Sequence, residues 1–326
     1  MSEKTLRICH LYPDLLNLYG DRGNILCMRR RLEWRGIGAE VTEVTVGEQA
    51  DFTQFDLFFI GGGQDFEQEV LLSDLKAGKG REIKAAIADG KTFLTICGGY
   101  QMLGSYYRTW DGKQCDFIGA IDYYTVGSKE RMIGNFLFEC LPESGGSTVV
   151  GFENHSGKTY LGSGVSPLGK VLVGGGNNGE DGYEGVRYQN VFGTYSHGPV
   201  LPKNPAFCDH LLTTALQQRY PNLELQPLDD AAELAAHNTM RDRIGMSARG
   251  TLSQEKSAAS SIAVTGASVG RRPASLASFP VNCSGVYFCR RASMFRSPSR
   301  LESLRPSGAT SSGACAYSGA LPPSVP

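Results

Sequence analysis

Residues 92–101 read TFLTICGGYQ, and this segment decides how the rest of the chain is interpreted. An apolar, β-prone run ends at Cys97, two glycines follow, and the next residues are typical of the start of a helix. A strand, a nucleophile, a glycine and a helix in this order predict a nucleophile elbow, whose sharp turn raises the side chain above the sheet. The helix N-terminus would stabilise a thiolate, and the Gly98 N–H would be placed to bond an oxyanion. The alternative is a buried cysteine that serves only as a small hydrophobic residue.

A thiolate nucleophile needs a base, and histidine is the usual one. Among the five histidines of the chain, His197 is the candidate because it ends a predicted strand over residues 191–195. Ser196 precedes it and Gly198-Pro199 follows it, which gives the ring a small and rigid setting. The alternative is a structural histidine. No acidic residue follows His197 closely, so the sequence does not identify the group that orients its ring.

A second glycine-rich turn, residues 61–63, follows the apolar run at residues 55–60. Three consecutive glycines after a strand expose backbone N–H groups without side chains in the way. A phosphate-binding loop is the obvious alternative, but the segment lacks both the GxxxxGK[ST] and the GxGxxG spacing. A plain turn is the remaining interpretation.

The N-terminal half predicts a parallel sheet with helices on both faces, because strands and helices alternate along it. The predicted strands are residues 6–11, 40–46, 55–60 and 92–96, and the predicted helices are residues 25–35 and 70–88. Asn24 is the candidate cap of the first helix, and glycines near residues 78–80 interrupt the second. Functional sites in such sheets lie at the carboxyl ends of the strands, so we expect residues 61–63 and Cys97 to converge.

After Gly104 the pattern changes to strands with glycine-rich turns, which predicts an antiparallel extension of the sheet. The predicted strands are residues 117–126, 133–140, 149–155 and 170–173, and a hairpin turns at Gln189 and Asn190. Helices at residues 206–219 and 229–244 complete the globular part. The expected fold class is therefore α/β, with a largely parallel central sheet.

Composition divides the chain at Gly245. Residues 1–245 carry a net charge of −8 and are typical of a globular domain, whereas residues 246–326 carry +7 and contain 18 serines. The second segment lacks apolar periodicity, so we expect a solvated, disordered tail there. An acidic globular part argues against nucleic acid as the main partner.

The cysteines and histidines show no metal-ligand spacing, because no CxxC pair occurs and the histidines are dispersed. We therefore expect no metal site. Nine cysteines, an odd number, and the lack of a signal peptide favour reduced thiols and a cytoplasmic location. No apolar run approaches about 18 residues, so no membrane-spanning helix is predicted.

Three motifs together resemble those of class I glutamine amidotransferases, over about residues 4–244. They are ICGGYQ around Cys97, the glycines at residues 61–63, and YSHG at residues 195–198. The last motif has no Pro-Glu after the histidine, which is similar to the cobyric acid synthase branch. The resemblance does not extend to the tail.

Two further motifs narrow the resemblance within that branch. LYGDRGN at residues 18–24 and GGGQD at residues 61–65 resemble the glutaminase subunits of lipid II isoglutaminyl synthases, which serve the bacterial cell wall. The fold that this resemblance implies is the flavodoxin-like fold of class I glutamine amidotransferases.

The activity that the resemblance implies is hydrolysis of L-glutamine to glutamate and ammonia. Cys97 would attack the carboxamide, and His197 would protonate the leaving ammonia and then activate water for the thioester. The N–H groups of Gly62 and Gly98 would bind the oxyanion.

Two further residues match positions that bind substrate in the family. Gln101 would help to position glutamine, and Arg131 matches the arginine that holds it, since a guanidinium suits a carboxylate. A solvated surface arginine is the alternative. The glutamate of the usual triad is absent and Gly198-Pro199 stands in its place. Either a dyad suffices or a partner supplies the carboxylate.

Ammonia is useful only with an acceptor, and the sequence shows neither a P-loop nor another recognisable ATP site. The resemblance therefore implies no cofactor in this subunit and a heterodimer with a Mur-ligase-like synthetase. That partner would use ATP to activate the α-carboxylate of D-glutamate in lipid II, at the inner face of the membrane. Two alternatives remain: a glutaminase for corrinoid amidation, and a non-catalytic binding or redox-sensing protein on the same fold.

Overall fold

The computed structural model describes residues 4–63 and 65–264, with side-chain surroundings for residues 4–63 and 70–248. The strands of the described chain are β1 (Thr5–Leu11), β2 (Gly38–Val44), β3 (Leu57–Ile60), β4 (Thr92–Ile96), β5 (Tyr106–Arg108), β6 (Gln114–Asp116), β7 (Tyr123–Cys140), β8 (Thr148–Leu161), β9 (Gly169–Val173), β10 (Tyr183–Glu184), β11 (Val186–Tyr188) and β12 (Val191–Thr194). Its α-helices are α1 (Arg22–Glu33), α2 (Asp65–Asp74), α3 (Gly80–Ala88), α4 (Gly98–Gln101), α5 (Pro205–Arg219) and α6 (Ala231–Val264).

A six-stranded sheet carries the predicted site and has the strand order β2-β1-β3-β4-β12-β11. The first five strands run parallel, and β11 pairs antiparallel with β12 through the predicted hairpin. Every residue of β3 and β4 is buried, as expected of a sheet covered on both faces. With β12 counted as the fifth parallel strand, the order is the 2-1-3-4-5 order of flavodoxin-like folds. The predicted α/β class with a largely parallel sheet is confirmed.

Helix α1 buries an apolar face formed by Ile25, Met28 and Leu32. The predicted start of this helix is wrong, because α1 begins at Arg22 and Asn24 lies inside it. The buried Asn24 side chain does not cap the helix; its Oδ1 accepts a hydrogen bond from the backbone N–H of Leu201 at 2.9 Å. Its side chain therefore joins α1 to the segment that follows His197.

The predicted interruption of the second helical region is confirmed. A π-helical turn at Leu75–Lys79 separates α2 from α3, and Gly78 adopts a φ of +151°, which favours glycine. The predicted hairpin turn is also present, with Gln189 at a φ of +48°.

The predicted antiparallel strands form a second sheet instead of continuing the first. Its order is β10-β9-β7-β5-β6, and β8 pairs with β7. The prediction of a strand over residues 117–126 is wrong for residues 117–122, because β7 begins at Tyr123. Strand β7 then runs past the predicted break, where a β-bulge between Gly127 and Met132 shifts the register. A bulge lets a strand bend without ending, so β7 continues past Gly127.

Helix α6 extends well beyond its predicted end at residue 244 and reaches Val264. It therefore passes the predicted domain boundary at Gly245. Ile244 of this helix is buried with Leu137 and Val150, so α6 packs against the second sheet. The remainder of the predicted tail, residues 265–326, lies outside the described residues.

Candidate active site

Cys97 occupies a strained turn between β4 and α4. Its backbone has φ +48° and ψ −106°, an unfavourable conformation for a residue with a side chain. The turn is fixed on both sides, because the Cys97 N–H donates to the Thr194 carbonyl at 2.9 Å and its carbonyl accepts from the Gln101 N–H at 2.8 Å. The glycine at position 99 is required, since a β-carbon there would lie 2.7 Å from the Gly61 carbonyl oxygen. The strain and the geometry are those of a nucleophile elbow.

The helix that follows Cys97 is present, as predicted, but it is short. Helix α4 contains only the four residues Gly98–Gln101, a single turn. The dipole of one turn is small, so stabilisation of a thiolate at Cys97 would depend mainly on nearby N–H groups and charges.

His197 follows β12, the strand next to β4, and is completely buried. Its N–H donates to the Phe152 carbonyl at 2.8 Å, which ties the histidine to the second sheet. The Lys203 Nζ donates to the His197 carbonyl at 3.0 Å, and the ring of Tyr19 packs edge-on against the imidazole at 4.9 Å. The backbone is therefore held firmly while the ring faces the space beside Cys97.

The three predicted elements of the site meet beside Gly62. A β-carbon placed on Gly62 would lie 2.7 Å from His197 Cε1 and 3.4 Å from the Cβ of Cys97. The imidazole and the cysteine β-carbon are therefore separated by no more than the sum of those distances. A side chain at position 62 would fill this space, so glycine is needed there to keep it open.

The His197 imidazole is neutral at physiological pH. Burial, together with the nearby charges of His155 and Lys203, lowers its pKa from 6.5 to about 3. Neither ring nitrogen has a hydrogen-bond partner among the described residues. A neutral ring with an open nitrogen can accept a proton from a thiol, provided that the imidazolium is stabilised during the reaction.

Asp21 is a buried carboxylate of this site that is not among the predicted site residues. Its Oδ2 accepts a hydrogen bond from the Gly62 N–H at 2.7 Å, and the β-carbon position on Gly62 is 3.2 Å from the same oxygen. Its Oδ1 has no hydrogen-bond partner in the described part of the chain. Burial raises the pKa of Asp21 to about 7, although the Gly62 N–H and the charge of Lys203 oppose this rise. Its place in the LYGDRGN motif was the available signal.

The two predicted oxyanion donors differ in availability. The Gly62 N–H is donated to Asp21, so it already has an acceptor. Gly98 begins α4, where the N–H groups of the first turn have no acceptor within the helix. Both assignments stay predictions.

Arg131 lies on β7 with an exposed side chain, and its Nε donates to Asn154 Oδ1 on β8. The Asn154 Nδ2 in turn donates to the hydroxyl of Tyr19, the residue whose ring packs against His197. Two hydrogen bonds and one ring contact therefore connect the predicted glutamine-binding residue to the predicted base. The role of Arg131 itself stays a prediction.

Gln101 is buried in a polar layer behind the predicted catalytic residues. Its Nε2 donates to the Tyr195 hydroxyl at 3.1 Å. The Tyr195 ring stacks on His155 at 3.6 Å, and its N–H donates to the carboxyl group of Glu184 at 2.7 Å. Burial raises the pKa of Glu184 to about 8. The contacts of Gln101 suit the support of β12 and His197, and its predicted contact with substrate stays a prediction.

The part of the chain that the structure describes lacks two other kinds of feature. Among the described residues, no group of three or more histidine, cysteine, aspartate or glutamate side chains is arranged to hold a metal ion. No helix within the same described ranges is long and apolar enough to cross a membrane.

A strained cysteine, a neutral histidine that follows the adjacent strand and a glycine turn between them are the features that a thiol-dependent amidotransferase requires, and they lie on a flavodoxin-like sheet. Residues 7–205, more than half of the chain, match the sequence profile of the CobB/CobQ-like glutamine amidotransferase domain. The chain belongs to this family of glutamine amidotransferases, as the sequence motifs predicted.

Two relatives that are more than 40% identical to this chain share a name. The chain is 43% identical over 238 residues to the lipid II isoglutaminyl synthase (glutamine-hydrolyzing) subunit GatD of Staphylococcus aureus, which covers 73% of this chain and 96% of that protein. It is 41% identical to the GatD subunit of Streptococcus pneumoniae, over 69% of this chain and 86% of that protein. A cobyric acid synthase of Clostridium botulinum is 28% identical over 61% of this chain, but only 43% of that protein is covered.

Proposed function

We propose that this chain is the glutaminase subunit of a two-subunit amidotransferase. It hydrolyses L-glutamine and passes the ammonia to a synthetase partner. The observation that carries this proposal is the meeting of Cys97 and His197 beside Gly62, at the carboxyl edge of the parallel sheet. Glutaminase chemistry needs a thiol and a proton carrier on opposite sides of one small space, and this arrangement provides both.

The reaction begins with attack of the Cys97 sulfur on the side-chain carboxamide carbon of glutamine. His197 takes the thiol proton and delivers it to the nitrogen as the tetrahedral intermediate collapses, so ammonia leaves and a thioester remains. His197 then removes a proton from water, which attacks the thioester and releases glutamate. Cys97 recovers its proton when the second intermediate collapses. Backbone N–H groups at positions 98 and 62 stabilise the oxyanion in both halves.

Arg131 holds the α-carboxylate of glutamine in this proposal. Its guanidinium is exposed and can form two parallel hydrogen bonds with a carboxylate. Tyr19, which Asn154 connects to Arg131, packs against the His197 ring. Substrate binding and the position of the base are thereby coupled.

The proposed acceptor of ammonia is the D-glutamate of lipid II, which becomes D-isoglutamine. The names of the two GatD relatives support this acceptor, because each protein covers more than two thirds of this chain and is more than 40% identical to it. The proposed partner is a Mur-ligase-like subunit, similar to MurT, that binds ATP and activates the α-carboxylate. This chain then needs no cofactor of its own and works in the cytoplasm, against the membrane that holds lipid II.

An amidation assay with the purified complex tests the proposal. The chain and a Mur-ligase-like synthetase are incubated with lipid II, ATP and L-glutamine, and the conversion of carboxylate to amide is followed by mass spectrometry. The complex should amidate lipid II, and Cys97→Ala should abolish the reaction with glutamine. Ammonium chloride should restore amidation in the Cys97→Ala complex, because free ammonia replaces the glutaminase step.

The second candidate function is amidation of a corrinoid, which the similarity to cobyric acid synthase favours. The same complex is therefore offered a corrinoid carboxylate in place of lipid II. Amidation of the corrinoid with no reaction on lipid II would overturn the proposed acceptor while leaving the glutaminase intact.

A further inference from the structure

Asp21 lies at the end of a segment that encloses the glycine turn at positions 61–63. The Leu18 N–H donates to the Gly62 carbonyl at 3.0 Å, and the Gly62 N–H donates to Asp21 Oδ2 at 2.7 Å. The same segment also approaches the preceding residue, since a β-carbon on Gly61 would lie 2.0 Å from the Leu16 carbonyl oxygen. Residues 16–21 therefore bind both polar groups of Gly62.

Capping of α1 does not account for the position of Asp21. Asp21 precedes the helix, but its side chain makes no capping hydrogen bond, and its backbone already has helical angles. The carboxylate instead points to the space shared with His197 and Cys97. It is completely buried, and one of its oxygens lacks a hydrogen-bond partner in the described part of the chain. A buried, half-satisfied carboxyl group costs stability, so its presence calls for a function.

The Asp21 contact opposes the chemistry of an oxyanion hole. A donor must lie about 2.7–3.1 Å from the developing oxyanion, and an N–H that is held by a carboxylate at that distance is not available. A negative charge beside the oxyanion also raises its energy, and the effect is strong where water is excluded. The contact between Asp21 and Gly62 therefore belongs to the substrate-free state of the site.

We propose that Asp21 is a positioning residue that keeps the Gly62 N–H from acting as an oxyanion donor in the substrate-free chain, and that glutamine hydrolysis requires this contact to break. The inference rests on the proposed glutaminase function and adds a regulatory step to it. Ammonia release from the lone subunit is thereby limited until the site is rearranged.

The segment that carries Asp21 has the features of a movable element. Tyr19 adopts a φ of +59°, a strained value for a residue with a side chain, and Gly20 follows at +78°. The Tyr19 hydroxyl is held by Asn154, whose other end is held by Arg131. A glutamine carboxylate that binds Arg131 competes for the guanidinium and weakens this hold. Substrate binding is thereby linked to the segment that blocks Gly62.

Glutamine hydrolysis by the lone chain tests the inference through Asp21→Asn and Asp21→Ala. Asparagine keeps an acceptor for the Gly62 N–H but removes the charge, whereas alanine removes the acceptor. We expect kcat to rise in the order wild type, Asp21→Asn, Asp21→Ala, with a total gain of about tenfold, because a single oxyanion donor is worth about 10²–10³ in kcat when it is fully used. KM should change little.

Alkylation of Cys97 by iodoacetamide provides a readout that does not depend on the oxyanion hole. The reaction is a direct displacement by the thiolate and forms no oxyanion, so in the Asp21 variants its rate should rise by a smaller factor than kcat does. Asp56→Asn is the matched control, because Asp56 is also buried and also accepts a backbone N–H, that of Arg7 at 2.8 Å. This control should lower stability and leave kcat unchanged.

The pH profile gives a second readout of the same contact. The titratable and charged groups around Asp21 are Lys203, His197 and Cys97. Ionisation strengthens the bond between Asp21 and Gly62, so kcat of the wild type should fall by about tenfold relative to Asp21→Asn as the pH rises through about 7.

Each outcome decides between the alternatives. If both variants remain folded and release ammonia no faster than the wild type, the inference is overturned while the glutaminase function stands. A fall of kcat in both variants overturns it as well, since Asp21 would then assist the reaction. If neither the wild type nor any variant releases ammonia, with or without the synthetase, the proposed function fails and this inference fails with it.

Discussion

The parallel strands have an amino end and a carboxyl end, and these form the amino edge and the carboxyl edge of the sheet. Each of these two edges contains a buried aspartate that accepts a backbone N–H, but the surroundings of the two aspartates differ. At the amino edge, Asp56 bonds the Arg7 N–H and pairs with the Arg219 guanidinium at 3.1 Å. At the carboxyl edge, Asp21 bonds the Gly62 N–H, and its second oxygen has no hydrogen-bond partner among the described residues. The charge of Asp56 is balanced by direct contact with a guanidinium, whereas burial raises the pKa of Asp21 to about 7, so that its carboxyl group is only partly ionised near neutral pH.

This difference separates residues that serve stability from residues that serve chemistry. A cavity of about 670 Å³ lies at the amino edge, lined by Arg7, Asp56, Lys91 and Arg219, but it contains none of the predicted catalytic groups. The carboxyl edge instead holds the strained Cys97, together with an imidazole (His197) and a carboxylate oxygen (of Asp21) that have no hydrogen-bond partner in the described ranges. Strain and unsatisfied polar groups persist in a native fold where function requires them. Substitutions at the carboxyl edge should therefore change mainly activity, and substitutions at the amino edge should change mainly stability.

The largest effect on activity should come from Cys97→Ala, and its counterpart at the amino edge is Asp56→Ala. Loss of the nucleophile should lower glutaminase kcat by at least about 10⁴-fold, with little change in unfolding free energy. Asp56→Ala removes the acceptor of the Arg7 N–H as well as the partly solvated ion pair with Arg219, and it should cost about 2 kcal/mol of stability at unchanged kcat. Ammonia release and urea unfolding measure both. An active Cys97→Ala variant would remove the basis of the proposed mechanism.

The second effect in size should come from His197→Ala. General acid–base catalysis typically contributes about 10²–10⁴-fold, so kcat should fall within that range while KM for glutamine stays nearly constant. His210→Ala is the control, since His210 is partly buried on α5, where it packs edge-on against Phe192. Equal losses in the two variants would mean that His197 acts only by packing.

Arg131 and Arg219 provide a third pair. Arg131→Ala should raise KM for glutamine by about tenfold with a small change in kcat, because a charge-assisted contact to the substrate carboxylate is lost. Arg219→Ala should leave KM unchanged and cost about 1 kcal/mol of stability, since its ion pair with Asp56 is partly solvated. Steady-state glutaminase kinetics separate the two. A normal KM in Arg131→Ala would show that another residue holds glutamine.

The sequence was sufficient to predict the parts of the fold that depend on local patterns. The apolar runs of β3 and β4, the glycines after them and the hairpin at Gln189 are all where the sequence places them. The convergence of Cys97 and residues 61–63 followed from a general property of parallel sheets, whose active sites lie at the carboxyl ends of the strands. No tertiary information was needed for either step.

The errors arose where a residue's role is decided by distant contacts. Asn24 has the composition of a helix cap, but its side chain bonds Leu201, which is 177 residues away. The predicted strand break between residues 126 and 133 is a bulge within β7, because pairing with β8 continues on both sides of it. The LYGDRGN motif marks Asp21 without giving it a role, since only the folded chain brings its carboxylate to Gly62.

The smallest of the predicted effects is on the folding stability of the chain at acidic pH. Burial lowers the pKa of His197 to about 3, so the folded chain keeps the imidazole neutral while the unfolded chain binds a proton below about pH 6.5. This contribution to stability is present above pH 6.5 and is lost as the pH falls toward 3, at up to about 1.4 kcal/mol per pH unit. In His197→Gln, stability relative to the wild type should improve by about 2 kcal/mol between about pH 6.5 and 4.5.

Asp21→Asn should give the opposite sign in the same measurement. The raised pKa of Asp21 means that the folded chain retains a proton between about pH 4 and 7 that the unfolded chain has released, so this residue makes stability fall as the pH rises. The variant should therefore gain most, relative to the wild type, near pH 7 and least near pH 4. Urea unfolding at several pH values measures both variants. If their stabilities depend on pH in the same direction, then the buried imidazole and the buried carboxyl group do not both hold their uncharged forms, and the contrast between the two edges would have a different origin.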